Sequence, residues 1–182
     1  CVQGHSKQSE KVREELLKMT KDDKNKEYLD QIYYAIAKMD LTQEDSVLAI
    51  ENFKLSAEKS EFNDVQKARS FLELAKIYYA KSDYMNSSAF YDSTIIFMDS
   101  EHKEYNQIKE KQLLLAELAG YINTINLQDS LQTLAGLSEA ELSQVINKII
   151  AAEQKKELEK QQQERQRASQ RFESNSLGGI EN

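Results

Sequence analysis

ARSFLELAKIYYAKSDYMNSSAFYDSTI (68–95) aligns on DQIYYAIAKMDLTQEDSVLAIENFKLSA (30–57) at a constant spacing of 38 residues. Ile36 pairs with Leu74, Ala37 with Ala75, Ala49 with Ser87, Phe53 with Tyr91, and Ser56 with Thr94. A large aliphatic, two small residues, an aromatic and a third small residue therefore recur in order. This pattern suits two antiparallel helices joined by a turn: small side chains permit close approach, and the aromatic fills the space between successive pairs. Self-similarity at such a period marks stacked supersecondary units, so two helix-turn-helix repeats are predicted.

The rest of the chain agrees with a helical reading. Its 182 residues include no proline and 5 glycines, too little punctuation for a turn-rich sandwich or barrel. Glu, Lys, Gln, Leu and Ala dominate, and these are strong helix formers. The fold class is all-α. The 3.6-residue periodicity predicts helices over about 10–20, 27–40, 44–59, 65–81, 84–98 and 103–126, a short helix over 128–135, and a long one from Ser138. Residues 1–9 read as a flexible N-terminal segment, 21–26 as a solvated turn, and 10–135 as the solenoid with its capping helices. Gly136 is placed to end a helix in the left-handed conformation, and Ser138-Glu139-Ala140-Glu141 has capping-box spacing. The segment 138–167 reads as a long C-terminal helix, exposed after 152. It carries Leu142, Val145, Ile146, Ile149 and Ile150 on one stripe, which then disappears. The charged stretch 153–167 either projects as an arm or frays, and 168–182 reads as a disordered tail.

Several function classes find no support. A net charge of −7 lacks the clustered basic surface that nucleic acid requires. One cysteine excludes a disulfide framework within the chain and any multi-cysteine metal site; His5 and His102 lie far apart and have no metalloprotease spacing. No apolar run approaches the ~20 residues that a membrane-spanning helix needs. Neither a cofactor, nor a metal, nor a small-molecule substrate is expected, and no nucleophile–base constellation is visible.

The repeat resembles the tetratricopeptide repeat, and the second copy is closer to that pattern: Phe71, Leu74, Ala75, Tyr78, Tyr84, Ser87, Tyr91 and Thr94 fall in register. The first copy departs at Asp40, which stands where a tyrosine-like residue belongs, and neither copy has the closing proline. In tetratricopeptide folds the first helix of each pair lines a concave groove. That resemblance places Gln31, Tyr34 and Lys38 beside Arg69, Leu72, Lys76 and Tyr79. Cations and tyrosines in a groove of an acidic protein suit an extended acidic peptide.

A longer resemblance runs through KNKEYLDQIYYAIAKMDL (24–41), FYDSTI (90–95) and YINTINLQDSLQTLAGLSEAELSQVINKII (121–150). These stretches are similar to the C-terminal part of the SprE/PorW family, large tetratricopeptide lipoproteins of the type IX secretion and gliding machinery. The resemblance covers about residues 25–152, and YINTINLQDSLQTLAGLSEAEL is its most specific piece. It implies a non-catalytic scaffold at the periplasmic face of the outer membrane, coupling PorK/PorN-type ring components to translocon subunits. It also implies that this chain is a piece of a longer protein, which membrane contact would reach only through a lipid anchor. Cys1 stands where the acylated cysteine of a mature lipoprotein would be; the internal position of the resemblance favours an ordinary cysteine instead. Rival readings are a tetratricopeptide adaptor unrelated to secretion, and the sensory segment of a signalling protein whose 138–167 helix leads into an effector.

Overall fold

The structure is a computed structural model that describes the backbone of residues 2–177 and the side chains of residues 10–166. Among these residues it contains helices only: α1 (Val2–Met19), a 3₁₀ segment (Asp23–Tyr28), α2 (Leu29–Thr42), α3 (Ser46–Lys59), α4 (Asp64–Ala80), α5 (Tyr84–Phe97), α6 (Tyr105–Ala135) and α7 (Glu139–Leu177). The all-α reading holds. The chain divides into two compact units, residues 1–125 and 126–182, and α6 runs through the division.

In the first unit, α2 pairs with α3 and α4 with α5, while α3 packs on α4 so that the pairs stack. All ten residues aligned by the 38-residue spacing are at most 2% exposed. Ala37, Ala49, Phe53, Leu74 and Ile77 form a core between the two pairs, with Tyr34, Phe71, Tyr78 and Phe90 packed against it. Ala75, Tyr91, Ile108 and Leu115 form a second core, which brings the first half of α6 onto the second pair. The small positions also tie helices together. Ser56 Oγ donates to the Asp30 carbonyl at 2.6 Å, and Ser87 Oγ donates to the Ala75 carbonyl at 3.0 Å.

The period recurs in the turns. Glu44 and Ser82, one repeat apart, both adopt the left-handed conformation (φ 61° and 59°). Asp45 N–H donates to the Asp40 carbonyl at 3.0 Å, and Asp83 N–H to the Tyr78 carbonyl at 2.9 Å. These are equivalent closures of a helix end. Asp45 then accepts from the Val47 and Leu48 N–H groups, and Asp83 from the Asn86 N–H, so each aspartate starts the returning helix.

Helix ends differ from the periodicity in four places. α1 reaches back to Val2, through the stretch read as flexible, and α7 reaches Leu177, into the stretch read as a disordered tail. In both, an absent apolar stripe removed the packing signal on which the periodicity depends. Residues 178–182 of that tail lie outside the described residues. The predicted break near 127 does not occur: α6 is continuous, and Ser130 Oγ donates to the Asn126 carbonyl inside it. Gly136 ends α6 without a positive φ; its N–H donates to the Gln132 and Thr133 carbonyls, both at 3.2 Å.

In the second unit the capping box forms as expected. Ser138 Oγ and N–H donate to Glu141 Oε2 at 2.6 and 2.9 Å. These bonds hold the Glu141 carboxyl below the usual carboxylate range. Leu142 and Val145 are half-buried, whereas Ile146, Ile149 and Ile150 are exposed, as is every described side chain from residue 151 to 166.

Candidate functional site

The apolar stripe that builds the first core also fixes which faces of α2 and α4 remain open. On α2, Gln31, Tyr34 and Lys38 follow at helical spacing. Gln31 is exposed, and Tyr34 is half-buried with its ring edge-on to Phe53 at 5.3 Å. On α4, Arg69, Glu73 and Lys76 occupy the same kind of stripe.

One carboxylate organises this surface. Lys38 Nζ donates to Glu73 Oε2 at 2.9 Å, and Lys76 Nζ donates to Glu73 Oε1 at 3.0 Å. Glu73 is 14% exposed, while each lysine is about half exposed. Burial pushes the Glu73 carboxyl upward, but the hydrogen bonds and charges of Lys38 and Lys76 outweigh it and hold its pKa below the ordinary value. Glu73 in turn raises the Lys38 ammonium, chiefly through their hydrogen bond. Burial raises the Tyr34 phenol, with a further push from Glu73 against the pull of Lys38, Lys76 and Arg69. That balance places Tyr34 within electrostatic reach of all four charged groups. Three cations and one anion leave the cluster with two net positive charges on a protein of net charge −7.

Arg69 differs from the lysines. It is exposed and, among the described residues, makes no hydrogen bond or ion pair. Leu72 and Tyr79 share the α4 face of Arg69 and Lys76 but contact other groups. Leu72 packs on the second core, and Tyr79 meets Tyr84 edge-on at 5.8 Å beneath Lys111 Nζ, 4.3 Å from its ring centre. The structure thus brings together Tyr34, Lys38, Arg69 and Lys76, with Gln31 one turn away on α2. Glu73 and Lys111 were missed by the register. Glu73 was legible through its i,i+3 spacing to Lys76, the arrangement of a helix ion pair. Lys111 lies beyond the two copies and had no register to place it.

Asp40, the departure in the first repeat, is only 1% exposed. Arg13 Nε reaches its Oδ1 at 2.6 Å, and Asn52 Nδ2 donates to its Oδ2 at 2.8 Å. Its counterpart Tyr78 instead stacks on Phe90 at 5.4 Å. The aspartate is therefore the point at which α1 is fastened to the first repeat.

Cys1 lies outside the described residues. Among the described residues no histidine, cysteine or acid group of three or more is arranged for a metal ion, and no helix is long and apolar enough to cross a membrane. No protein-family model matches the sequence, and no curated protein matches it.

Proposed function

We propose that the chain is a non-catalytic, tetratricopeptide-like scaffold whose groove holds an extended acidic segment of a partner protein. The observation that carries this reading is the positive cluster of Lys38, Arg69 and Lys76 beside Tyr34, on a protein whose overall charge would repel an acidic partner. Local positive potential can then orient the encounter, and the tyrosine supplies contact area. The similarity of residues 121–142 to the SprE/PorW family supports a place in a type IX secretion or gliding complex. There the chain would sit at the periplasmic face of the outer membrane and link PorK/PorN-type ring and translocon subunits.

A second reading places the docking surface on the C-terminal helices. It is favoured by the exposed Leu127 and Leu131 of α6 and Ile146, Ile149 and Ile150 of α7. The two are separated by capture from cell envelope with the Lys38→Glu/Arg69→Glu/Lys76→Glu variant and with a chain truncated before Ser138. Loss of ring and translocon subunits with the first variant supports the groove. Normal capture by the first and loss by the second moves the site to the C-terminal helices. Recovery of a cytosolic set by the unaltered chain would overturn the secretion assignment.

A further inference from the structure

We infer that Glu73 is an internal stand-in for a partner's carboxylate: it occupies the space between Lys38 and Lys76, and a partner acid must displace it before both lysines contribute to binding. The inference rests on the groove reading above and adds the device that sets its affinity and selectivity.

The geometry already shows what the two lysines hold. A single carboxylate gives one oxygen to each ammonium, at 2.9 and 3.0 Å. The lysines are one 38-residue period apart, so the stacking of α2 and α4 creates the pair, while the carboxylate belongs to the second copy alone; Ala35 stands at the matching place in the first. Both lysine side chains remain about half exposed, so an incoming acid can approach them without movement of the backbone. Arg69, one turn before Glu73 on the same stripe, is the cation that needs no displacement. An acidic segment therefore engages Arg69 first and competes for the lysines second.

This order selects ligands. Releasing Glu73 leaves a partly buried carboxylate without its cations, which opposes binding. A lone acid gains Arg69 and stops there. A segment with two acids can take both positions. Arg69 and Lys76 are seven residues apart on a helix, roughly 10 Å along its axis. An extended chain rises about 3.3 Å per residue, so acids roughly two to four residues apart on the ligand fit both.

The test uses the whole chain and a labelled peptide of alternating Glu and Ala, with the Gln-for-Glu peptide as control. Fluorescence anisotropy reads affinity, and carbon-13 NMR of the side-chain carboxyl reads the Glu73 titration. Glu73→Gln should bind the acidic peptide roughly three- to tenfold more tightly, because the lysines lose an internal competitor. Arg69→Glu should lose binding. In the unaltered chain the Glu73 pKa should rise at saturating peptide, since its two cations are then engaged elsewhere. Equal or weaker binding by folded Glu73→Gln, with Arg69→Glu still losing the peptide, would leave the groove reading standing and overturn the gate. A Glu73 titration unmoved at peptide saturation would also overturn it, and that measurement needs no variant to fold. If the acidic peptide binds no better than its control to either chain, the groove reading fails and the inference fails with it.

Discussion

Arg13→Met tests how α1 is held. The substitution removes the cation from Asp40, a carboxylate almost without solvent contact, and leaves Asn52 as its remaining side-chain partner. Removing one member of a buried ion pair costs about 3–5 kcal/mol, because the surviving charge stays desolvated. Arg13 retains 23% exposure, so water already reaches its side of the pair and the lower end is appropriate. A loss of about 3 kcal/mol is expected, equivalent to roughly 6–12 °C in thermal midpoint for a chain of this size. Urea unfolding followed by circular dichroism measures it. The second arm is Arg13→Met/Asp40→Leu, which removes both charges. Asn52 Nδ2 keeps one N–H on the Leu48 carbonyl at 3.1 Å, while its other N–H loses Asp40, a cost of about 1 kcal/mol that takes back part of the gain. The double variant should be more stable than Arg13→Met alone by at least about 1 kcal/mol, since replacing a whole buried pair with apolar groups is often neutral. A single-variant cost below about 0.5 kcal/mol, the size of an exposed pair, would refute the claim that this contact fastens α1.

Ala75→Leu places a large side chain at a fully buried crossing where Ser87 donates to the Ala75 carbonyl; overpacking should cost about 1–3 kcal/mol in urea unfolding, and an unchanged midpoint would contradict the register. Ser82→Gly relieves a left-handed residue at a turn and should raise stability by about 0.5–1 kcal/mol, whereas a fall would show that the serine side chain contributes there. For Glu73, whose folded pKa lies below its ordinary 4.5, the stabilisation is present above that value and lost as pH falls through the folded pKa; for Lys38, raised above 10.5, it is present below that value and lost at higher pH. The stability gap between the unaltered chain and Glu73→Gln should therefore be flat near neutrality and shrink in acid, and a gap that widens in acid would reverse the argument. Amide exchange from residue 153 to 166 should be much faster than across Phe71–Tyr78, because those side chains bury nothing against a core; comparable protection would show a packing partner.

The sequence was most readable where packing enforces a residue type. Ile36, Ala37, Ala49, Phe53 and Ser56 and their counterparts were identified by size alone, and all are buried, because a close helix crossing tolerates few alternatives at each. Helix extent was less readable at α1, α6 and α7. There the apolar stripe weakens, yet Glu, Lys, Gln and Ala keep the backbone helical without a core to report it. Gly136 shows the limit of a composition rule: it was read as a left-handed terminator, but the helix ends through ordinary backbone bonds. A Cβ at that position would meet the Thr133 and Gln132 carbonyl oxygens at 3.6 and 3.8 Å, which is ordinary contact, so nothing there demands glycine. The charged cluster was partly readable. Register located its cations, but no register could show that one intervening glutamate binds two of them.

Differences between the copies carry information that their similarities lack. Asp40 and Tyr78 share a register position, but one meets Arg13 and the other Phe90, so the substitution records a different neighbour. Tyr34 and Leu72 also share a position; the first borders the open cluster, whereas the second packs on the core that holds α6. Lys38 and Lys76 are identical in the two copies and yet converge on one carboxylate, because only the second copy supplies it. Repetition thus builds a row of cations, and a single unrepeated acid makes the row asymmetric. A symmetric row would attract any acidic surface of comparable charge. With Glu73 in place, Arg69 is the one exposed cation of the cluster without an ion-pair partner among the described residues, and discrimination falls to ligands that can engage it and still compete for the lysines.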